Sequence, residues 1–257
     1  IVTNTGLLAA TRIQGDALPV ALQLAAVSIV AWSTDRRSAV VAAALGAFGI
    51  LSKTSAVWAP AAIVIWLLIR DRQRLLPYIG AFVILLGSMV AILQFISGGR
   101  MLANLLALTF AGVGDVSSLS ASPSNLLWQF ATFASATWAL LPLSLLGAIA
   151  NAGRREWEIF YIGLACAIGV MLVVVADAGV TQNHLLDLAV LTVVTAGGLW
   201  SPARQAEGRA QTLVGMGMAL IVLWLAATSY ALTMYPDAKH ALKLVVRREA
   251  DSTLAPN

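Results

Sequence analysis

A histidine and a carboxylate three residues apart, His184 and Asp187 in Asn183-His184-Leu185-Leu186-Asp187, open an apolar run and would share one face of a helix. Such a pair can hydrogen-bond an acceptor hydroxyl, orient one another, or contribute ligands to a divalent metal. The structural alternative is a plain helix start, with Asn183 as cap and Asp187 in the first turn, where the helix dipole favours a negative charge. Lys53 is flanked by long apolar stretches on both sides. Its ammonium could bind a phosphate, or its apolar stem could let it snorkel to lipid headgroups. Arg12 precedes Asp16 by four residues, so its guanidinium could pair with that carboxylate or hold a phosphate. Asp16 is also placed to cap a helix that takes Pro19 in its first turn. Arg100, in Gly98-Gly99-Arg100, could hold a lipid phosphate or lie at an interface as an ordinary cation.

For these side chains to meet, helices must carry them. Hydrophobic residues make up 60% of the 257 positions and charged ones 11%, a balance that a soluble domain of this size does not keep. The apolar runs suit helices rather than outer-membrane strands, and a bilayer requires every backbone group to be satisfied within its own helix. The sequence therefore predicts an all-α, polytopic transmembrane helical bundle of about eight spans, at 17–33, 38–52, 54–69, 76–97, 125–150, 157–176, 183–200 and 211–234. Residues 1–234 are expected to form the membrane domain, and 235–257 an extracytoplasmic tail. The second and third runs are short and separated by Ser52-Lys53-Thr54, which predicts a hairpin with a tucked turn or one long kinked helix. Thr54 or Ser55 could cap the third run, and Pro60 is expected to kink it. The first half of 98–124 suits a helix lying in the interface, able to dock a lipid or cover a cavity.

Arginines sort the two ends. Arg36 and Arg37, then Arg70, Arg72 and Arg74, then Arg154 and Arg155, then Arg204 and Arg209 fall in alternate short loops. These nine arginines mark the cytoplasmic side of a cell inner (plasma) membrane. That face is expected to hold only exposed loop charges. The opposite face collects Arg12, Asp16, Lys53, Arg100, Asp115, Asp177, Asn183, His184 and Asp187, and ionisable groups at membrane depth are costly enough to mark a site. The tail residues Lys239, Lys243, Arg247 and Arg248 fit this orientation least well.

The net charge of +4 is dispersed over short loops between apolar runs, which is how orientation signals look and not how nucleic acid is bound. Cys166 is single and mid-span, so neither a disulfide framework nor a thiol metal site arises. The motifs G-x-x-x-x-G-K-[ST], H-E-x-x-H, G-x-S-x-G and C-x-x-C do not occur, and two histidines are too few to support a zinc hydrolase. The residues assign no cofactor, and a divalent metal is the one that His184 and Asp187 could serve.

Arg12-x3-Asp16-Ala17-Leu18-Pro19, Leu51-Ser52-Lys53-Thr54-Ser55-Ala56, Gly98-Gly99-Arg100 and Asn183-His184-Leu185-Leu186-Asp187 follow an order that resembles the GT-C class of membrane glycosyltransferases. More narrowly, the chain is similar to the bacterial branch related to protein mannosyltransferases and lipid A aminoarabinose transferases. The likeness spans roughly residues 1–200. It implies a GT-C-like membrane domain that transfers one sugar from a polyprenyl-phosphate donor to a lipid, glycan or protein acceptor on the extracytoplasmic face. It also implies a catalytic carboxylate in the first outer loop, which follows the family's first helix. Ile1 falls several helices later, so that carboxylate is expected upstream of residue 1, and this piece alone is expected to be inactive. Asp16 is not given that role. Substrate-binding roles are implied for Arg12, Asp16, Lys53, Arg100, Asn183, His184 and Asp187.

The chemistry accords with that likeness. A lipid-phosphate sugar needs a membrane groove for its tail and cations near the interface for its anionic leaving group. A base must deprotonate the acceptor while positive charge builds on the sugar ring. Two rivals stand beside it. In an ion-coupled transporter, Asp16, Lys53, Asp177, His184 and Asp187 would form a relay. In a non-catalytic scaffold the polar residues would cap helices, and Lys53, Arg100 and His184 would point apart.

Overall fold

Small residues recur along Arg36–Ser52 at Ala39, Ala42, Ala43, Gly46, Ala47 and Gly49, all of them buried. Alanine is the best helix former, and a face of Ala and Gly lets neighbouring backbones approach closely. In the computed structural model, which describes residues 17–53, 55–104, 123–124, 126, 140–174 and 185–199, this helix lies between two others. In chain order the helices are α1 (Ala17–Trp32), α2 (Arg36–Ser52), α3 (Trp58–Arg70), α4 (Arg72–Ile96), α5 (Leu141–Ala150), α6 (Arg155–Val174) and α7 (Leu186–Gly197). The architecture is all-helical. Helix α2 packs on α1 and α4, α3 packs on α6, and α7 packs on α5 and α6. A Cβ at Gly46 would come 3.3 Å from Pro60 Cγ, and one at Gly49 would come 3.3 Å from Gln23 Cγ, so α3 and α1 both reach α2 at its glycines.

One continuous core runs through α1, α2, α3, α6 and α7, with Trp58, Trp66, Ile63 and Phe160 among its largest members. Helix α4 adds only Arg74 and Tyr78 to the buried set. Leu75, Ala81 and Phe82 pack against the core, but other apolar side chains of α4 are uncovered, with Ile84 67% and Phe95 88% exposed. Among the described residues α4 and α6, of 25 and 20 residues, are the two helices long and apolar enough to cross a membrane. At 1.5 Å per residue α4 is roughly 37 Å long, more than a hydrocarbon core requires. Helices α1, α3, α5 and α7 are shorter apolar helices.

Several local expectations are corrected. Helix α2 stops at Ser52 and α3 starts at Trp58, so the second and third runs are two helices and not one kinked helix. Pro60 is the third residue of α3, where backbone N–H groups have no partner inside the helix, so it removes no bond of the ladder. The cap position of α3 falls on Val57, which makes no side-chain cap bond, and not on Ser55. Thr54 lies outside the described residues, as do the predicted span 211–234, the tail 235–257 and residues 105–122 of the interfacial segment.

The arginine-bearing corners gather at one end. Arg74 donates to the Ser33 carbonyl, Arg155 donates to Asp71 Oδ2 at 2.9 Å, and Arg70 Nε donates to Glu158 at 2.8 Å. These bonds tie the α1–α2, α3–α4 and α5–α6 corners together. Asp71 is the single residue between α3 and α4, and its carboxylate takes both Arg74, at 2.8 Å, and Arg155. Arg36, Arg37 and Arg72 are exposed, but the expectation of only exposed charges on this face fails at Arg74, which is 2% exposed. A carboxylate, a carbonyl and the face of Trp66, 5.8 Å away, replace part of the water its guanidinium loses, and Nη2 is buried without a hydrogen bond among the described residues. Arg204 and Arg209 lie outside the described residues.

Candidate functional site

Helix α1 carries one buried amide, Gln23. An amide inside an apolar helix must find its partners on other elements. Its Oε1 accepts a hydrogen bond from the Ala59 N–H at 3.2 Å. Ala59 is the second residue of α3, whose N–H lacks an intrahelical acceptor, so Gln23 caps α3 from a neighbouring helix. That bond fixes the amide, because flipping it would set donor against donor. The Gln23 Nε2 then donates to Asp187 Oδ1 at 3.3 Å. Trp58, the first residue of α3, donates its indole N–H to the same oxygen at 2.7 Å. Lys53 completes the group, with Nζ 3.8 Å from Asp187 Oδ2.

The cluster is nearly sealed: Asp187 is 4% exposed and the Lys53 side chain 10%. Asp187 lies in the first turn of α7, and the first turn of α3 abuts it through Trp58, so two helix N-termini and an ammonium face one carboxylate. Such compensation is what a buried charge needs. A further element supports the indole. A Cβ on Gly163 of α6 would come 3.2 Å from the Trp58 ring, so the ring lies directly on that glycine.

Of the sequence-predicted residues, Lys53 and Asp187 are brought together from distant parts of the chain. Asp187 does occupy the first turn of its helix, but its carboxylate reaches α1, α3 and the Lys53 turn. Arg100 stands apart: no hydrogen bond or ion pair joins its side chain to Lys53 or Asp187 among the described residues. Gly98 and Gly99 adopt positive φ, 60° and 85°, which glycine tolerates and side chains resist. Gln94 fixes this turn, with Nε2 donating to the Gly99 carbonyl at 2.6 Å and Oε1 accepting from the Leu102 N–H at 2.9 Å. Helices α2 and α4 run side by side, with Gly46 beside Tyr78 and Phe82, and α4 continues well after α2 has ended. Arg100 therefore lies beyond the level of Lys53 by roughly 15 Å, at 1.5 Å per residue. Arg12, Asp16, Asn183 and His184 lie outside the described residues, as do Asp115 and Asp177.

Sequence reasoning missed Gln23 and Trp58. Gln23 left a signal, being a lone amide in an otherwise apolar run; Trp58 left none, because a tryptophan in such a run is ordinary. A second buried polar seam joins α5, α6 and α7. Ser144 donates to the Thr192 carbonyl at 3.0 Å, Tyr161 to the Thr195 carbonyl at 3.2 Å, and Asn151 to the Gly198 carbonyl at 3.0 Å. These bonds are helix-to-helix packing. A groove of about 310 Å³ opens beside Ile69, Arg70, Ala152 and Ile162, at the arginine end and away from Lys53. Among the described residues no three of His, Cys, Asp and Glu converge as a metal site would require.

The chemistry open to the cluster follows from its geometry. Asp187 Oδ1 accepts two bonds and Oδ2 faces an ammonium, which suits holding a charge in place and not taking a proton from a hydroxyl. Lys53 is a compact cation whose position is set by that carboxylate. Comparisons with protein-family models, with curated proteins and with solved structures find no match to this chain.

Proposed function

We propose that this chain functions within a multi-pass membrane glycosyltransferase of the GT-C type, which moves a sugar from a polyprenyl-phosphate donor to a lipid, glycan or protein acceptor. The observation that carries this reading is the convergence of Lys53 and Asp187 at the end of the bundle opposite the arginine corners. Lys53 meets the donor phosphate, and Asp187 holds the ammonium in place. The uncovered apolar length of α4 supports a lipid surround, because a soluble monomer rarely exposes so large an apolar surface. The arginine corners lie on the cytoplasmic side and Lys53 on the outer side.

One observation favours an architectural role instead. Lys53 and Asp187 carry opposite charges, and Gln23 and Trp58 add hydrogen bonds of the kind that locks helices. Transfer of labelled sugar from a polyprenyl-phosphate donor, measured in membranes from cells expressing the full reading frame, separates the two. Lys53→Ala at normal protein level loses transfer if the lysine meets the donor, and unchanged transfer assigns the pair to architecture. Sidedness has its own test in a Cys166→Ser background. A cysteine replacing Arg100 reacts with an impermeant reagent in intact cells, and one replacing Arg72 reacts only after permeabilisation. The reverse pattern removes the lipid-sugar mechanism.

A further inference from the structure

The carboxylate of Asp187 could rotate about its own side-chain bonds, yet Trp58, Gln23 and Lys53, each from another element, bear on it. The Trp58 indole N–H and the Gln23 amide both converge on Oδ1, at 2.7 and 3.3 Å. Because one oxygen is held from two directions, the other is turned toward Lys53. Of the two donors Trp58 makes the shorter bond, and charge-assisted bonds of that length are the stronger class. Its ring is closely packed, since a Cβ at Gly163 of α6 would come 3.2 Å from Trp58 Cζ3 and Trp58 itself is buried. Gln23 is less free to compensate, because its carbonyl is committed to the N–H of Ala59.

We infer that Trp58 is a positioning residue, seated on Gly163, that aims Asp187 and through it sets where the Lys53 ammonium stands to meet a phosphate. Trp58 touches no substrate in this account; it acts only through the carboxylate. The inference rests on the proposed function for its phosphate, while the chain from Trp58 to Asp187 to Lys53 is a property of the protein itself.

The decisive variant is Trp58→Phe, which keeps an aromatic ring over Gly163 and removes the N–H. Gly163→Ala is the complement, keeping the N–H but pressing a methyl group against the ring. Two readouts are taken on the full chain in detergent or native membranes, at matched folded protein. The first is acylation of Lys53 by an amine reagent, followed by peptide mass spectrometry. The second is donor KM and kcat for sugar transfer. Loss of a charge-assisted bond corresponds to about a tenfold to hundredfold effect, so Lys53 acylation should quicken by about tenfold in Trp58→Phe. The donor KM should rise by a similar factor with a smaller change in kcat. Gly163→Ala should move both in the same direction by less. A purely architectural Trp58 would lower the yield of folded protein and leave Lys53 acylation and donor KM unchanged in what remains. That result overturns the inference. Lys53→Ala keeps the two claims apart. If wild type transfers no sugar the glycosyltransferase reading fails, and if Lys53→Ala leaves transfer intact the lysine does not meet the donor; in both cases the acylation rates still decide the positioning chain. If Lys53→Ala abolishes transfer and Trp58→Phe matches wild type in both readouts, the positioning role fails alone.

Discussion

Lys53 Nζ stands 3.8 Å from Oδ2 of Asp187, and each residue is the other's compensation for being buried. Removing one partner takes a counter-charge from a buried ion, whereas removing both removes the two charges together. Lys53→Met and Asp187→Leu should each destabilise the protein by about 3–5 kcal/mol, and the double variant by less than either alone. Unfolding by denaturing detergent, analysed as a double-mutant cycle, checks this. Additive losses would mean that the two charges do not compensate each other.

At the opposite end Asp71 governs a pH dependence. Burial by itself would raise its pKa, but hydrogen bonds and charge from Arg74 and Arg155 outweigh burial and hold the carboxyl below its ordinary value. A carboxyl with a depressed folded-state pKa contributes stability that is complete above the unfolded value of about 3.9 and is lost as pH falls through the lower folded value. Unfolding followed from pH 6 downward should show stability falling below about pH 4 in the wild type. In Asp71→Asn that component should be missing and stability at pH 6 should be lower. An unchanged acid limb in the variant would show that Asp71 does not carry it.

Gly147 is held by close approach. A Cβ there would lie 2.6 Å from the Tyr161 hydroxyl and 2.9 Å from the Thr195 carbonyl oxygen. Gly147→Ala should destabilise by about 1–3 kcal/mol, since over-packing must move a neighbouring helix. Tyr161→Phe in the same chain should recover part of that loss and not all of it, because the backbone oxygen remains. Full recovery in the unfolding midpoint would place the whole clash on the hydroxyl.

Helix α4 tests the lipid surround. A nitroxide at Ile84, which is 67% exposed, should collide freely with oxygen and hardly at all with a water-soluble nickel chelate in reconstituted membranes. Ile84→Lys should lower insertion by about 2.5–3.5 kcal/mol, the cost of a charge near a helix centre. A label at Ile84 that the nickel chelate reaches would place this face in water.

What the residues alone determined is whatever depends on local content. The helical class, the two long apolar runs now seen as α4 and α6, and the grouping of Arg36, Arg70, Arg74 and Arg155 on one side are legible because hydropathy and loop charge act segment by segment. Lys53 and Asp187 stood out because an ionisable group beside an apolar run is costly wherever it ends up. Tertiary structure alone decided which of these groups meet. The Ala/Gly face of α2 set how closely α1 and α4 could approach. Packing of α1 against α3 made Gln23 the cap of α3, where a hydroxyl of the preceding turn was expected. Where α3 begins turned Pro60 from an expected kink into a first-turn residue. Arg74 became buried only because Asp71, Ser33 and Trp66 came together around it, and Trp58 became part of the site only because α7 brought Asp187 to its indole. The reason is the same in each case: a hydrogen bond or ion pair between distant residues depends on the shapes of whole helix surfaces, and no single segment contains that information.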